Sequence, residues 1–133
     1  MSIPSAVNDV LRAVDARDAD RFVSYLAPDG TFRFGNAPAT NGREATREAV
    51  AAFFEGVVAL RHELLGTWSA GEMVFCKGEV TYTRRDGSQV GPLPFFNLFR
   101  MRGDQIVEYL IYADVTPLYE PRRVQESGTE DAP

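Results

Sequence analysis

The sequence predicts an α+β domain in which helices cover one face of a curved antiparallel sheet. Three observations predict it. Apolar residues recur at helical spacing through the first half of the chain, the pattern turns strand-like after Arg61, and Asp86-Gly87 stands between two such runs as a hairpin turn. Helices followed by a run of strands are the mark of segregated layers, not of alternating βαβ units.

Taken in order, Val7, Val10, Leu11 and Val14 follow the i, i+3, i+4, i+7 spacing of one helix face. Asp18 is placed to cap a second short helix carrying Phe22, Val23, Tyr25 and Leu26, and Pro28-Asp29-Gly30 then turns the chain. A short strand from Thr31 to Phe34 leads to a loop at Gly35-Asn36-Ala37-Pro38. Asn41 with Glu44 three residues on forms an Asn version of the capping box, opening a helix whose stripe is Val50, Phe53, Phe54, Val57 and Val58. Turns at Ala70-Gly71, Asp86-Gly87 and Gly103-Asp104 then separate four antiparallel strands, at about 61–69, 73–84, 89–101 and 105–114.

The 133 residues make one domain, expected over residues 1–119, with enough length to bury a packed core. From Glu120 to Pro133 the only large aliphatic residue is Val124, so 120–133 is expected to be a flexible tail. Nineteen acidic against fourteen basic side chains give a net charge of −5, with the basic residues scattered. Affinity for nucleic acid needs clustered Lys and Arg, so no nucleic-acid partner is expected. The uncharged stretch from Val90 up to Arg100 is broken by Pro92, Pro94 and Asn97 and falls short of about 30 Å of hydrocarbon, and the N-terminus lacks a basic region before an apolar core. No membrane partner and a cytoplasmic location are therefore expected. One cysteine, Cys76, and one histidine, His62, leave no internal disulfide and no zinc set. With no Gly-rich phosphate loop, nucleophile elbow or ligand cluster in view, no metal and no cofactor are implied.

Four stretches carry a family likeness: Ala27-Pro28-Asp29-Gly30-Thr31-Phe32, Asn41-Gly42-Arg43-Glu44-Ala45, the Thr81–Gly87 hairpin, and the closing run from Ile106 to Leu118. Together they resemble the SnoaL-like branch of the nuclear-transport-factor-2-like superfamily, over about residues 5 to 119. The resemblance implies a cystatin-like α+β barrel: a cone-shaped sheet, three N-terminal helices on its concave face, and a pocket between them. It also implies a homodimer. The same scaffold carries ketosteroid isomerases, limonene-type epoxide hydrolases, polyketide cyclases and non-catalytic proteins.

Three enzyme templates follow from that resemblance. Matched to the ketosteroid isomerases, Val10 falls at their Tyr, Asn97 at their protonated Asp and Phe34 near their Asp base, so two of three groups are missing. Matched to the epoxide hydrolases, Phe34-Gly35-Asn36, Lys77-Gly78-Glu79 and Asp114 stand where Tyr-x-Asn, Arg-x-Asp and a final Asp are expected. That chemistry needs two carboxylates in different protonation states with a cation between them, whereas Lys77 offers a point charge instead of a fork. Matched to the cyclases, Asp114 alone is acid and base, with Asn97 or His62 holding the developing oxyanion.

The catalytic candidates are therefore Asp114, Glu79, Lys77 and His62. Each also has a structural reading. Asp114 can accept backbone N–H groups where the last strand ends, Glu79 and Lys77 can be a solvated surface pair, and His62 can be a hydrogen-bonding residue at a strand edge. Asn97, between Phe95, Phe96 and Phe99, is costly to bury unpaired and so binds a ligand or a neighbouring backbone group. With Asn36, Phe34, Tyr112, Trp68 and Tyr25 it makes up the expected binding set for a small apolar organic ligand, although large aromatics also fill cores. The expected function is a cofactor-independent acid–base enzyme of isomerase, epoxide hydrolase or cyclase type. The alternative is a non-catalytic ligand-binding or dimerisation module of the same fold.

Overall fold

The structure, a computed structural model, describes residues 3–121. The expected tail therefore lies outside the described residues beyond its first two positions. Three helices, α1 (Ser5–Asp15), α2 (Ala19–Ser24) and α3 (Arg43–Glu55), precede and interrupt a six-stranded sheet. Its strands are β1 (Leu26–Phe34), β2 (Thr40–Asn41), β3 (Val57–Ala70), β4 (Met73–Arg84), β5 (Gln89–Arg102) and β6 (Gln105–Ala113), and a single helical turn, α4 (Thr116–Tyr119), follows. The order across the sheet is β2-β1-β6-β5-β4-β3.

The meander from β3 to β6 is antiparallel as expected, but the sheet is mixed, because β1 lies parallel to β6. A strand between α2 and α3 and the strand that closes the meander run in the same direction, and the long connection between them makes that pairing reachable. β1 is also longer than the sequence indicated. Pro28-Asp29-Gly30 forms an irregularity inside it, where the register to β6 shifts between Leu26 and Thr31. A Cβ on Gly30 would lie 2.6 Å from Leu26 Cγ, so this fold-back requires glycine.

Other boundaries move for local reasons. Asp18 caps α2 by accepting the Arg21 N–H at 3.0 Å, but α2 ends at Ser24, Tyr25 is its C-cap and Leu26 already belongs to β1. Asn41 does not cap α3. Gly42 takes the N-cap position with φ 87° and no side-chain cap, while Asn41 Oδ1 accepts from the Thr31 hydroxyl at 3.1 Å. Val57 and Val58, read as part of the helix stripe, open β3 instead, because α3 stops at Gly56. Arg17, at φ 54°, secures that stop by donating to the carbonyls of Phe54 and Val57.

The core lies between the helices and the inner face of the sheet. Val7, Val10, Leu11 and Ala13 of α1 pack with Phe54 of α3 and with Val74, Cys76, Val80, Phe99 and Tyr109 of the sheet. Phe22, Phe32, Phe99 and Tyr109 pack ring to ring, with centroids 4.4–5.7 Å apart. Each such buried ring contributes roughly 1.5–3 kcal/mol.

Candidate functional site

A cavity of ≈ 360 Å³ opens between α3, the β1–β2 loop and the inner sheet face. Most of its wall is apolar: Phe22, Phe32, Phe34, Val50, Phe53, Phe54, Leu60, Val80, Phe95 and Ile111 line it, and Pro38, Ala52 and Tyr119 are also part of its lining. Its polar groups are few, namely His62, Asn97, Thr40 and the phenols of Tyr82, Tyr109 and Tyr119. A largely apolar hollow with a few convergent polar groups is the arrangement of small-molecule sites.

His62 comes to this wall because β3 alternates. His62 is opposite Val80 and Leu60 opposite Tyr82, and all four side chains line the cavity. On the far side the imidazole meets Asp15, the last residue of α1, with Nδ1 2.6 Å from Oδ1. Asp15 Oδ2 also accepts the His62 backbone N–H at 3.2 Å, so the carboxylate grips both ring and main chain. A carboxylate only accepts, so Nδ1 is the donor in this contact, and in a neutral ring Nε2 then carries the lone pair. The Phe95 ring packs edge-on against the imidazole at 5.2 Å and helps to fix its plane. With side-chain exposures of 13% for His62 and 34% for Asp15, the pair is neither sealed from water nor washed by it.

Asn97 is 1% exposed and lies opposite Cys76 on β4 and Ile111 on β6. Its Oδ1 has no hydrogen-bond partner among the described residues, and an unpaired buried carbonyl costs about 1–3 kcal/mol. That acceptor is on a residue of the cavity wall. Burial pushes the Cys76 thiol up to about 11, with hydrogen bonds from Asn97 acting weakly against it. Burial likewise raises the Tyr109 phenol well above its ordinary value, and the negative charge of Asp15 adds to the rise. Tyr82 shifts in the same direction for the same main reason. Both phenols are thus neutral hydrogen-bond donors at any physiological pH.

The candidates named from sequence separate into three groups. His62, Asn97 and Phe34 line the cavity. Lys77, Glu79, Trp68 and Tyr112 are on the other side of the sheet, contrary to the expectation of a pocket position. Lys77 and Glu79 alternate with the buried Cys76, Gly78 and Val80, and Tyr112 pairs with Phe96 on that outer face. Trp68 is there because β3 bulges at Leu65, which reverses the faces beyond it and sets Trp68 against Phe75. Asp114, Asn36 and Tyr25 belong to neither face of the cavity. Asp114 lies one residue past β6, and its exposed carboxylate accepts the Thr116 N–H at 3.0 Å. Hydrogen bonds from the Thr116 side chain and backbone hold it below the usual carboxylate range. Asn36 and Asp114 border a separate shallow hollow, and the Tyr25 hydroxyl accepts from Arg21 Nε at 3.2 Å. Glu79 and Asp114 are therefore on different surfaces, and no two-carboxylate site with Lys77 between them is formed.

Sequence reasoning missed Asp15. Its signal was its place at the end of α1, where the partial negative charge of the helix C-terminus disfavours a carboxylate unless another group compensates it.

Comparisons with known proteins agree with this architecture. The family model described as a SnoaL-like domain matches residues 7–109. No curated protein matches the chain. Among solved structures, a protein with a ketosteroid isomerase-like fold from Catenulispora acidiphila, in complex with trimethylamine, superposes with TM-score 0.80 at 18% identity, over 87% of this chain and 90% of that one. A cystatin-fold protein from Novosphingobium aromaticivorans gives TM-score 0.71 at 25% identity, over 84% and 97% of the two chains. A nuclear-transport-factor-2-like protein of unknown function from Burkholderia pseudomallei gives 0.76 at 16% identity, over 87% and 96%.

Proposed function

The chain belongs to the SnoaL-like domain family, and from that premise we propose that it is a cofactor-independent acid–base enzyme whose base is His62, held by Asp15. The observation that carries this reading is the 2.6 Å contact between Asp15 Oδ1 and His62 Nδ1 at the edge of an aromatic cavity. A group that orients an imidazole from behind and leaves its second nitrogen free on a cavity wall makes a positioned proton acceptor.

In this reading a small, flat, largely apolar carbonyl compound lies among Phe34, Phe53, Phe95 and Ile111. His62 Nε2 removes the proton on the carbon next to the carbonyl, and Asp15 stabilises the imidazolium that results. The electron pair moves onto the carbonyl oxygen, where the neutral phenols of Tyr82 and Tyr109 are the available donors. Asn97 Oδ1 accepts from a hydroxyl of the substrate and so satisfies its own unpaired carbonyl. Return of the proton from Nε2 to another carbon gives isomerisation, and attack of the enolate carbon on a second carbonyl gives ring closure. Asp114 has no part in these steps, because its carboxylate is tied to Thr116 outside the cavity lining.

The test is proton exchange in D₂O with one- and two-ring cyclic diketones and enones, followed by NMR. The wild-type protein is expected to catalyse loss of the signal α to the carbonyl, and His62→Gln to lose about 10²- to 10⁴-fold of that rate. An undiminished rate in His62→Gln sinks the proposal.

The outer sheet face favours a homodimer. Trp68, Phe96 and Tyr112 are 50%, 39% and 58% exposed there, next to half-buried Phe75, Leu98 and Leu110. A contiguous apolar patch of this kind marks an interaction surface, and a self-complementary face pairs two copies about a two-fold axis.

A further inference from the structure

Asn97 and Cys76 stand directly opposite each other on β5 and β4, and both are shut away from solvent, at 1% and 0% exposure. Opposed residues of an antiparallel pair bring their Cβ atoms within about 4.5–5.5 Å, so amide and sulfur are in reach of one another. Cys76 Sγ takes hydrogen bonds from the Asn97 side chain and from its backbone N–H. The side-chain donor is Nδ2, because an amide oxygen only accepts.

The other arm of the amide is left over. Oδ1 is buried and has no hydrogen-bond partner among the described residues, and Asn97 lines the main cavity. An amide sealed in a core ordinarily has both ends paired. Here the sulfur holds the donor end on the β4 side, and the cavity is the space left to the acceptor end. His62 is a separate station on the same wall. It stands level with Val80 on β4, whereas Asn97 stands level with Cys76, four residues further along, about 13 Å at 3.3 Å per residue.

We propose that Asn97 selects a ligand presenting a hydroxyl on a flat aromatic framework, and that Cys76 is the positioning residue that turns the amide oxygen toward it. The proposal rests on the reading of the main cavity as the ligand site, and it narrows the substrate class to hydroxylated carbonyl compounds. The hydroxyl at Asn97 is distinct from the reacting carbonyl at His62. A ligand without that hydroxyl leaves Oδ1 unpaired, which is how sites built for a hydroxyl reject analogues that lack it. Without the sulfur, the amide is free to turn over and offer Nδ2 to an acceptor instead.

The experiment is calorimetric titration with three two-ring probes: 2-naphthol, which donates, 2-fluoronaphthalene, of similar size with no donor, and 2-naphthaldehyde, which only accepts. The wild-type protein is expected to prefer 2-naphthol to each of the others by about tenfold or more, and tenfold corresponds to about 1.4 kcal/mol. Asn97→Leu is expected to bring 2-naphthol and 2-fluoronaphthalene to parity. Cys76→Ala should shift the preference from 2-naphthol toward 2-naphthaldehyde, and Cys76→Ser, which keeps an acceptor for Nδ2, should retain the wild-type ratio. A mere loss of stability weakens all three probes alike and leaves the ratios unchanged. A wild type with no preference among the probes it binds overturns the proposal, as does a preference that survives in Asn97→Leu or a wild-type ratio in Cys76→Ala. Each of those results leaves the cavity standing as a ligand site and His62 as its base. Failure of every probe to bind the wild type overturns the ligand-site reading, and the hydroxyl selection with it.

Discussion

Asp15 Oδ1 and His62 Nδ1 stand 2.6 Å apart, so Asp15→Asn keeps the shape of the pair and changes only what it offers the ring. An amide can present N–H to Nδ1 and so favour the wrong tautomer, with the proton on Nε2 where the lone pair is needed. Turnover in Asp15→Asn is expected to fall about 10²-fold or more with little change in substrate affinity, read as kcat against KM. Asp114→Asn is the contrasting case, because that carboxylate is exposed and bonded to Thr116. Turnover should be unchanged, and the small stabilisation that Asp114 gives should vanish. Its folded pKa lies below the ordinary value, so that contribution is present above pH 3.8 and is lost as pH falls through the folded value. Cys76 gives a third expectation at this scale. A fully buried thiol pushed up to about 11 has almost no thiolate at pH 8, so iodoacetamide should not label the native protein and should label it in urea.

Two elements carry constraints that substitution can expose. β4 passes between β3 and β5 with Gly78 at the crossing point, where an added Cβ would stand 2.2 Å from Glu63 O and 2.9 Å from the Phe95 ring. Gly78→Ala must push β3 or Phe95 away, and since Phe95 rests on His62, the strain falls next to the proposed base. A loss of about 1–3 kcal/mol in urea unfolding is expected, with reduced activity in the folded fraction. In α2, only six residues long, the Asp18 cap is a large share of the local stability. Asp18→Ala is expected to cost about 1 kcal/mol and to speed amide exchange at Arg21 above that of the sheet. Element types were largely legible: helical spacing marked α1 and α3, and Asp86-Gly87 marked the β4–β5 hairpin. Boundaries depending on a distant partner were not. Asn41 looked like a cap by its spacing to Glu44, but the antiparallel pairing of β2 with β1 gave its side chain to Thr31 and left the N-cap to Gly42.

At the scale of the whole molecule, the outer sheet face and the buried ionisable groups make separate predictions. If two copies pair through Trp68, Phe96 and Tyr112, sedimentation equilibrium should show a dimer, and Trp68→Glu with Tyr112→Glu should yield a monomer that keeps its near-ultraviolet ring signals from the core. A monomeric wild type at high concentration would rule the pairing out. For pH, the folded Cys76 value of about 11 exceeds the ordinary 9.0, so the unfolded chain gives up a proton that the native state keeps. That stability is complete below pH 9.0 and is lost as pH rises toward 11. Tyr109, raised by burial, adds a loss of the same sign above its ordinary 10.0. The urea midpoint should therefore drop between pH 8 and pH 10.5, and less steeply in Cys76→Ala.

The sequence by itself determined the layers and the family. Spacing of apolar residues and turn chemistry are local properties, and local properties choose between helix and strand. It also supplied His62 and Asn97, conspicuous as the lone imidazole and as an amide among phenylalanines. Tertiary structure decided which face each strand turns inward and which residues meet across the chain. One bulge at Leu65 puts Trp68 outside, strand alternation sends Lys77 and Glu79 to the outer surface, and Asp114 slips past the last strand into a turn. Asp15 and His62 are separated by 47 positions and touch only because α1 packs across β3. A single chain does not display such a contact, since it depends on the summed geometry of every element between the two residues.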